Sequence, residues 1–209
     1  NFIFLFHVLL VFANIVIGEL IDSIVNNLMP LVESTYSTYA NSTSKEDFIN
    51  KVSAIAVALC KETKILPSVV IAQCCLENGY GLGADALELT KVNNLLGMKA
   101  DLINSTWSQY TVWDGKTITK KTPEYINGKL IYKDDVFRVY KDDENCIRDY
   151  EMFLLNVKSG GEYKYRSIQG VTDPQTVITT ISKGGYATDP AYITKVMNIV
   201  KENDLTQYD

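Results

Sequence analysis

Residues 66–81 read LPSVVIAQCCLENGYG, and this stretch predicts a mostly apolar helix that ends abruptly. Pro67 suits the first turn of a helix, because its φ is already helical and its missing N–H is not needed there. The positions expected to face inward are Val69, Val70, Ala72 and Leu76. Glycines at positions 79, 81 and 83 then end the helix, since glycine tolerates positive φ. Glu77 is therefore expected in the last turn of this helix, just before the glycines that end it.

Further helices are predicted on both sides of this stretch. Ser44 and Asp47 have the spacing of a helix cap, which predicts a helix running to about Lys64. Helical periodicity resumes at about residues 144–157, 176–182 and 191–203.

Residues in the middle of the chain favour β-structure. Trp107, Tyr110 and Val112 favour strands, and YINGKLIY at residues 125–132 is a strong hairpin signal. Asn-Gly between two β-prone runs suits a tight type I′ turn. The predicted fold class is α+β and mainly α: a helical domain with an inserted β-hairpin lobe. A cleft between the two parts would suit an extended polymer.

The first 44 residues differ from the rest. Residues 2–17 read FIFLFHVLLVFANIVI, slightly shorter than the roughly 20 apolar residues of a membrane-spanning helix. A signal-peptide core, a membrane anchor and a helix buried in a larger assembly are three alternatives that fit. An amphipathic helix follows at residues 19–39, interrupted at Pro30. We therefore divide the chain into an apolar and amphipathic N-terminal segment (residues 1–44) and a main domain (residues 45–209), with membrane or assembly contacts expected through residues 1–40.

Composition restricts the chemistry. The 209 residues carry a net charge of −5, which argues against a general nucleic-acid binder. His7 is the single histidine, and the four cysteines lack metal-ligand spacing, so we expect buried thiols, no metal and no cofactor. A disulfide stays an alternative for a protein that works outside the cell. With histidine-based nucleophilic schemes disfavoured, carboxylates are the expected catalytic groups.

Four later motifs follow residues 66–81 in a recognisable order: NNLLGMKA at 93–100, TPEY at 122–125, FRVY at 137–140 and GYATDPAY at 185–192. Together they resemble the bacterial and phage glucosaminidase family, glycoside hydrolase family 73, over about residues 48–204. This family includes flagellar rod-cap hydrolases and autolysins with an endo-β-N-acetylglucosaminidase-like domain. The resemblance implies a lysozyme-like fold. Asn78, Tyr80 and Leu96 depart from the usual Ser, Trp and Phe of the family.

Glycoside hydrolysis usually needs one acid and a second carboxylate. Glu77 is the expected acid, because an apolar helix end solvates its charge poorly and raises its pKa. The resemblance implies that the hairpin carries the second carboxylate, and Glu124 is our candidate general base or stabiliser. A mobile hairpin could bring Glu124 close to Glu77 only when substrate binds. The alternatives are a Glu77 that merely caps the helix and a solvated Glu124.

Six further residues are expected to bind substrate. Tyr186 and Tyr192 could hydrogen-bond or stack on sugar rings, although a tyrosine can equally belong to the core. Tyr80 is expected in the wall beside Glu77, and Asn94 and Lys99 in the floor, although Asn94 could simply cap a turn. Trp107 has a ring that suits sugars, but core packing is its alternative.

These predictions point to a peptidoglycan hydrolase at the cell envelope or outside the cell, an endo-β-N-acetylglucosaminidase whose partner is the glycan strand. An N-acetylmuramidase specificity on the same substrate is one alternative. A non-catalytic structural module, for example of a phage virion tail, is the second, and a membrane-active protein that works through residues 2–17 is the third.

Overall fold

A computed structural model describes residues 42–82, 88–126 and 129–209, and of residues 123–126 and 129–131 it describes the backbone only. These residues all belong to one compact unit, Ser37–Asp209. The predicted N-terminal helices lie outside the described residues, and so does the Asn-Gly turn at 127–128. In the described part of the chain, no helix has the length and apolar character required to cross a membrane.

Two helices begin the domain. Helix α1 spans Lys45–Thr63, and the Ser44 hydroxyl accepts a hydrogen bond from the Asp47 N–H, as the capping pattern predicted. Helix α2 spans Pro67–Asn78. It is buried on nearly every face, as expected for a helix that is apolar all round. Helix α2 is therefore the central element of the core, and Glu77 is carried at its end.

The later helices also follow the predicted periodicity. Helix α3 spans Asp143–Asn156, α4 spans Pro174–Lys183 and α5 spans Tyr192–Glu202, while short 3-10 turns occur at Gly79–Gly81, Ala100–Leu102, Arg166–Ile168 and Leu205–Tyr208. Helices α1, α5 and the last 3-10 turn pack on α2. All four cysteines are free and buried, which confirms their interpretation as core thiols.

Two hairpins contain the strands of the described residues. Strands β1 (Thr117–Ile126) and β2 (Lys129–Arg138) pair antiparallel, which confirms the predicted hairpin. A smaller hairpin joins β3 (Lys158–Ser159) to β4 (Glu162–Tyr163). The strand predicted around Trp107 and Tyr110 is wrong, because residues 105–110 form turns. The Asn104 carbonyl accepts the Trp107 N–H there, so the backbone folds locally rather than pairing with a neighbour. The described residues are mainly helical, with two small two-stranded sheets.

A buried ion pair joins the hairpin to the helical body. Arg138 ends β2 and contacts Asp149 of α3 at 2.6 Å, and both side chains are fully buried. The guanidinium lies 4.8 Å from the ring of Trp107 and 4.6 Å from that of Trp113. Asp149 also accepts a hydrogen bond from the Tyr140 hydroxyl at 2.7 Å. Arg138 and Tyr140 of the FRVY motif therefore fix the point at which the hairpin leaves the body.

Candidate active site

A cavity of about 710 Å³ opens on the helical body at the end of α2. Its walls combine Glu77 with the segment after Leu95, the end of α3 and the loop before α5. The charged side chains that line it are Glu77, Lys99, Asp101, Lys164, Asp189 and Lys195. Asp189 and Lys195 are paired at 2.6 Å. A cavity with both polar and apolar walls is suited to a sugar, which has both kinds of surface.

The turn after α2 directs Glu77 into this cavity. Gly79, Tyr80 and Gly81 are consecutive residues with positive φ, at +51°, +61° and +68°. The Gly79 N–H still bonds to the Cys75 carbonyl, so the last helical turn is complete before the chain reverses. Asn78 is buried, where it accepts a hydrogen bond from the Thr90 hydroxyl and donates to the Leu95 carbonyl. Asn78 thus ties the end of α2 to Leu95, the residue before Leu96, which lines the cavity.

Glu77 has the electrostatic environment of a carboxylic acid that holds its proton. Its side chain is open to the cavity, so water can reach it, but surrounding protein atoms displace most of the bulk solvent. This desolvation raises the pKa of Glu77 to about 7, and a hydrogen bond from Tyr192 partly offsets the rise. A carboxyl with a pKa near neutrality can donate a proton and recover it at ordinary pH.

A chain of three hydrogen bonds ends on Glu77. The Tyr150 hydroxyl donates to Gln73 Oε1 at 2.7 Å, and Gln73 Nε2 donates to the Tyr192 hydroxyl at 2.9 Å. Tyr192 in turn donates to Glu77 Oε1 at 3.5 Å. Neither Gln73 nor Tyr150 is predicted from the sequence to belong to the site. The signal that could have identified Gln73 is its position as the lone amide within the otherwise apolar run of α2, because a buried amide needs hydrogen-bond partners.

Lys99 connects the cavity to the hairpin. It lines the cavity, and its ammonium group lies 2.7 Å from Asp135 Oδ2 on β2. Burial alone would raise the pKa of Asp135, but hydrogen bonds from Lys99, Thr122 and Lys133 outweigh it and lower the pKa to about 2. The carboxylate is therefore charged at every working pH. Lys99 therefore lines the cavity while its ammonium group is held by the inner half of the hairpin, and its predicted role in substrate binding stays a prediction.

The two predicted cleft tyrosines have different surroundings. Tyr186 is half-buried and lines the cavity, and its hydroxyl donates to the Leu96 carbonyl at 3.3 Å. Tyr192 also lines the cavity but is only 4% exposed. Its hydroxyl is used by Gln73 and Glu77. Tyr186 therefore presents part of its side chain to the cavity, whereas the Tyr192 hydroxyl is held between Gln73 and Glu77.

Three of the residues predicted to bind substrate are not among those that line the cavity. Asn94 is fully buried, where its amide bonds to the Met98 and Arg138 carbonyls, so it caps a turn. Trp107 is fully buried and donates to the Leu102 carbonyl. Tyr80 packs edge-on against Phe48, and its hydroxyl accepts from Asn203. These three side chains stabilise the scaffold. Partners distant in sequence, such as Arg138 for Asn94 and Phe48 for Tyr80, are known only from the tertiary structure.

Glu124 lies in strand β1, opposite Ile131 of β2. Its side chain is outside the described part of the structure. The backbone places the residue toward the outer half of the hairpin, beyond the Lys99–Asp135 contact that anchors the inner half. Its predicted role as second carboxylate stays a prediction.

Comparisons with known proteins agree with the motif resemblance. The family model for Glucosaminidase, described as mannosyl-glycoprotein endo-beta-N-acetylglucosaminidase, matches residues 53–205. The probable N-acetylmuramidase of Lactococcus lactis subsp. cremoris is 29% identical over 180 residues, which cover 86% of this chain and 38% of that protein. The exo-glucosaminidase LytG of Bacillus subtilis is 30% identical over 162 residues, or 78% of this chain and 52% of that protein. The chain therefore spans between about two fifths and one half of these relatives.

Among solved structures, the catalytic domain of the autolysin Auto from Listeria monocytogenes is similar to the chain with a TM-score of 0.65. The two are 30% identical, and the likeness covers 80% of this chain and 88% of that one. The family model, these relatives and this structure confirm the resemblance that the five motifs indicated. The chain belongs to the glucosaminidase family.

Proposed function

We propose that this protein is a peptidoglycan hydrolase with a lysozyme-like site, and that Glu77 protonates the leaving oxygen of a glycosidic bond. The observation that carries the proposal is a single carboxyl at the end of an apolar helix, open to a cavity and with its pKa raised to about 7. Chemistry of this kind needs a carboxylic acid that is still protonated near neutral pH.

We propose that the protein cuts the bond after N-acetylglucosamine, in the interior of the glycan strand. The LytG relative, which is named an exo-glucosaminidase, supports cleavage after N-acetylglucosamine but not its position in the interior of the strand. Cleavage after N-acetylmuramic acid is the alternative, which the relative named a probable N-acetylmuramidase supports. A non-catalytic wall module is disfavoured, because a binder gains nothing from a carboxyl whose desolvation costs folding free energy.

Product analysis tests this proposal. The purified chain is incubated with isolated peptidoglycan, and the new reducing ends are reduced with borohydride and identified by mass spectrometry. N-acetylglucosaminitol at the new ends is the expected result, and N-acetylmuramitol would establish the alternative. The absence of new reducing ends from folded protein, on walls of several chemotypes, would refute glycan hydrolysis altogether.

The pH dependence of hydrolysis is predicted from the same carboxyl. Glu77 donates a proton only while it is protonated, so kcat/KM should fall as pH rises through the pKa of about 7. The loss should approach tenfold per pH unit above that value. Initial rates on peptidoglycan between pH 5 and 9 would measure it. A plateau that extends unchanged to pH 9 would contradict an acid with this pKa.

A second prediction concerns Glu124, which we propose as the general base or stabiliser. Glu124→Gln should lower kcat by about 10²-fold or more if the carboxylate activates water. Exchange of nearby Lys121 for Gln on the same strand is the matched control, because it changes an exposed charge of the hairpin and leaves Glu124 in place. Near-normal kcat in Glu124→Gln would instead favour a route in which the substrate's own acetamido group assists.

We further propose that the protein works at the cell envelope or outside the cell, where its polymer substrate is found. The apolar residues 2–17 would hold it at a membrane or within a larger assembly such as a phage tail. Deletion of residues 2–17 should then release the protein from membranes, while glycan cleavage by the remaining chain continues.

A further inference from the structure

Gln73 and Tyr150 are the inner members of the hydrogen-bond chain that ends on Glu77. Both side chains are fully buried, and neither lines the cavity, so neither can touch substrate. We infer that Tyr150 and Gln73 are positioning residues, which act through Tyr192 to keep the acidic proton of Glu77 on the oxygen that faces substrate. This inference rests on the proposed function, in which Glu77 is the acid.

The direction of the chain is set at its buried end. Tyr150 has one hydroxyl proton, which it donates to Gln73 Oε1 at 2.7 Å. If the Gln73 amide were turned around, this proton would face an NH₂ group and lose its acceptor. An unsatisfied donor in a fully buried site is strongly unfavourable. Tyr150 therefore locks the amide with its N–H toward Tyr192.

The locked amide determines what the Tyr192 hydroxyl can do. Its oxygen accepts the Gln73 N–H at 2.9 Å, so its single proton points to Glu77 Oε1 at 3.5 Å. Glu77 could aim a proton on Oε1 at Tyr192 only if the Tyr192 hydroxyl turned its own proton away from Oε1. Since the Gln73 amide presents an N–H to Tyr192, it offers no acceptor for the turned proton, and an unsatisfied donor at a buried hydroxyl is unfavourable.

The proton of neutral Glu77 is consequently held on Oε2. A Cβ built on Gly97 would lie 3.7 Å from that oxygen, and both Glu77 and Gly97 line the cavity. Oε2 is thus the oxygen next to the cavity floor, where a glycosidic oxygen could receive the proton. A proton aimed at Tyr192 instead would have to be released before it could be transferred.

Other titratable groups near Glu77 do not interfere with a test of these hydrogen bonds. Burial raises the pKa of Cys74, Tyr150, Tyr186 and Tyr192, so all four are neutral at working pH. The other charged side chains that line the cavity are Lys99, Asp101, Lys164, Asp189 and Lys195. None of them changes in the variants below, so their field at Glu77 stays the same.

Tyr150→Phe in the full chain is the decisive variant, because it keeps the ring and removes only the hydroxyl. The amide can then turn, Tyr192 can donate to it, and neutral Glu77 can donate to Tyr192. We expect the pKa of Glu77 to rise by about 0.5–1 unit. On peptidoglycan, kcat should fall about tenfold while KM stays within about twofold. The pKa is read from the pH–rate profile and, independently of activity, from ¹³C NMR of the Glu77 carboxyl.

Two further variants make the test specific. In a Tyr192→Phe background, Tyr150→Phe should no longer shift the Glu77 titration, because the connecting hydroxyl is absent. Tyr140→Phe is the matched control: it removes another buried tyrosine hydroxyl, one that bonds to Asp149, and should lower stability without moving the titration. Gln73→Met is a second way to interrupt the hydrogen bonds between Tyr150 and Tyr192 if Tyr150→Phe folds poorly.

An unchanged Glu77 titration in folded Tyr150→Phe would overturn the inference, and so would an equal shift in the Tyr192→Phe background. Neither result would touch the proposed function, which depends on the activity of Glu77→Gln. Conversely, a fully active Glu77→Gln would refute Glu77 as the acid, whereas the NMR titration would still report on the hydrogen-bond chain.

Discussion

Glu77→Gln is expected to reduce hydrolysis of peptidoglycan by about 10²–10⁴-fold, the range typical of losing a general acid. Glutamine keeps the shape of the side chain and can still accept from Tyr192, but it has no proton to give to the leaving oxygen. The decisive measurement is the rate at which new reducing ends appear. The effect should lie mainly in kcat, because the cavity and its remaining walls are unchanged.

Loss of activity in this variant must be separated from loss of structure. Desolvation raises the folded-state pKa of Glu77 from 4.5 to about 7, so the carboxylate form costs folding free energy as pH rises through that range. Replacement by glutamine removes this cost, and the melting temperature at pH 8 should be no lower than that of the parent chain. Glu62→Gln exchanges an exposed carboxylate on α1 and should leave both rate and stability unchanged. Comparable rates in Glu77→Gln and Glu62→Gln would eliminate Glu77 as the acid.

Asp149→Ala is expected to have the largest effect on stability, about 3–5 kcal/mol in the free energy of unfolding. The substitution leaves the charge of Arg138 fully buried without its carboxylate, and the hydroxyls of Thr111 and Tyr140 lose an acceptor. Urea denaturation followed by circular dichroism would measure the change. Because this pair fixes the root of the hairpin, the variant should also lose activity even at temperatures where it stays folded.

Glu62→Ala provides the comparison for an exposed ion pair. Glu62 lies 3.4 Å from Arg148, and its side chain is 67% exposed. Its removal should cost less than about 1 kcal/mol, since water replaces the partner of each charge. A loss of similar size in Glu62→Ala and Asp149→Ala would show that burial does not distinguish the two pairs.

The elements that could be predicted from the sequence are those whose signals are local. Ser44 caps α1 through a hydrogen bond to a residue three positions along the chain, and Pro67 begins α2 where its missing N–H does no harm. The positive φ at Gly79 likewise follows from the residue itself. The position of Glu77 at the end of an apolar helix was therefore readable without any knowledge of tertiary contacts.

Residues whose role depends on distant partners were harder to interpret. Trp107 has the ring of a sugar-binding residue, but Arg138 and Phe153 enclose it in the core. Asn94 bonds to the Arg138 carbonyl, 44 positions away. Residue type alone does not distinguish a cavity wall from a core, because both accept aromatic and amide side chains.

The sequence by itself determined the order of helices, the hairpin and the identity of the carboxyl at the break after α2, since caps, glycines and periodicity act over a few residues. Only the tertiary structure decided how that carboxyl is surrounded. Tyr150 lies 77 positions from Gln73, and Tyr192 lies 115 positions from Glu77, yet a hydrogen bond joins each pair in the folded protein. The pKa of Glu77 depends in the same way on atoms from several segments that displace water, and such burial exists only when the chain has folded.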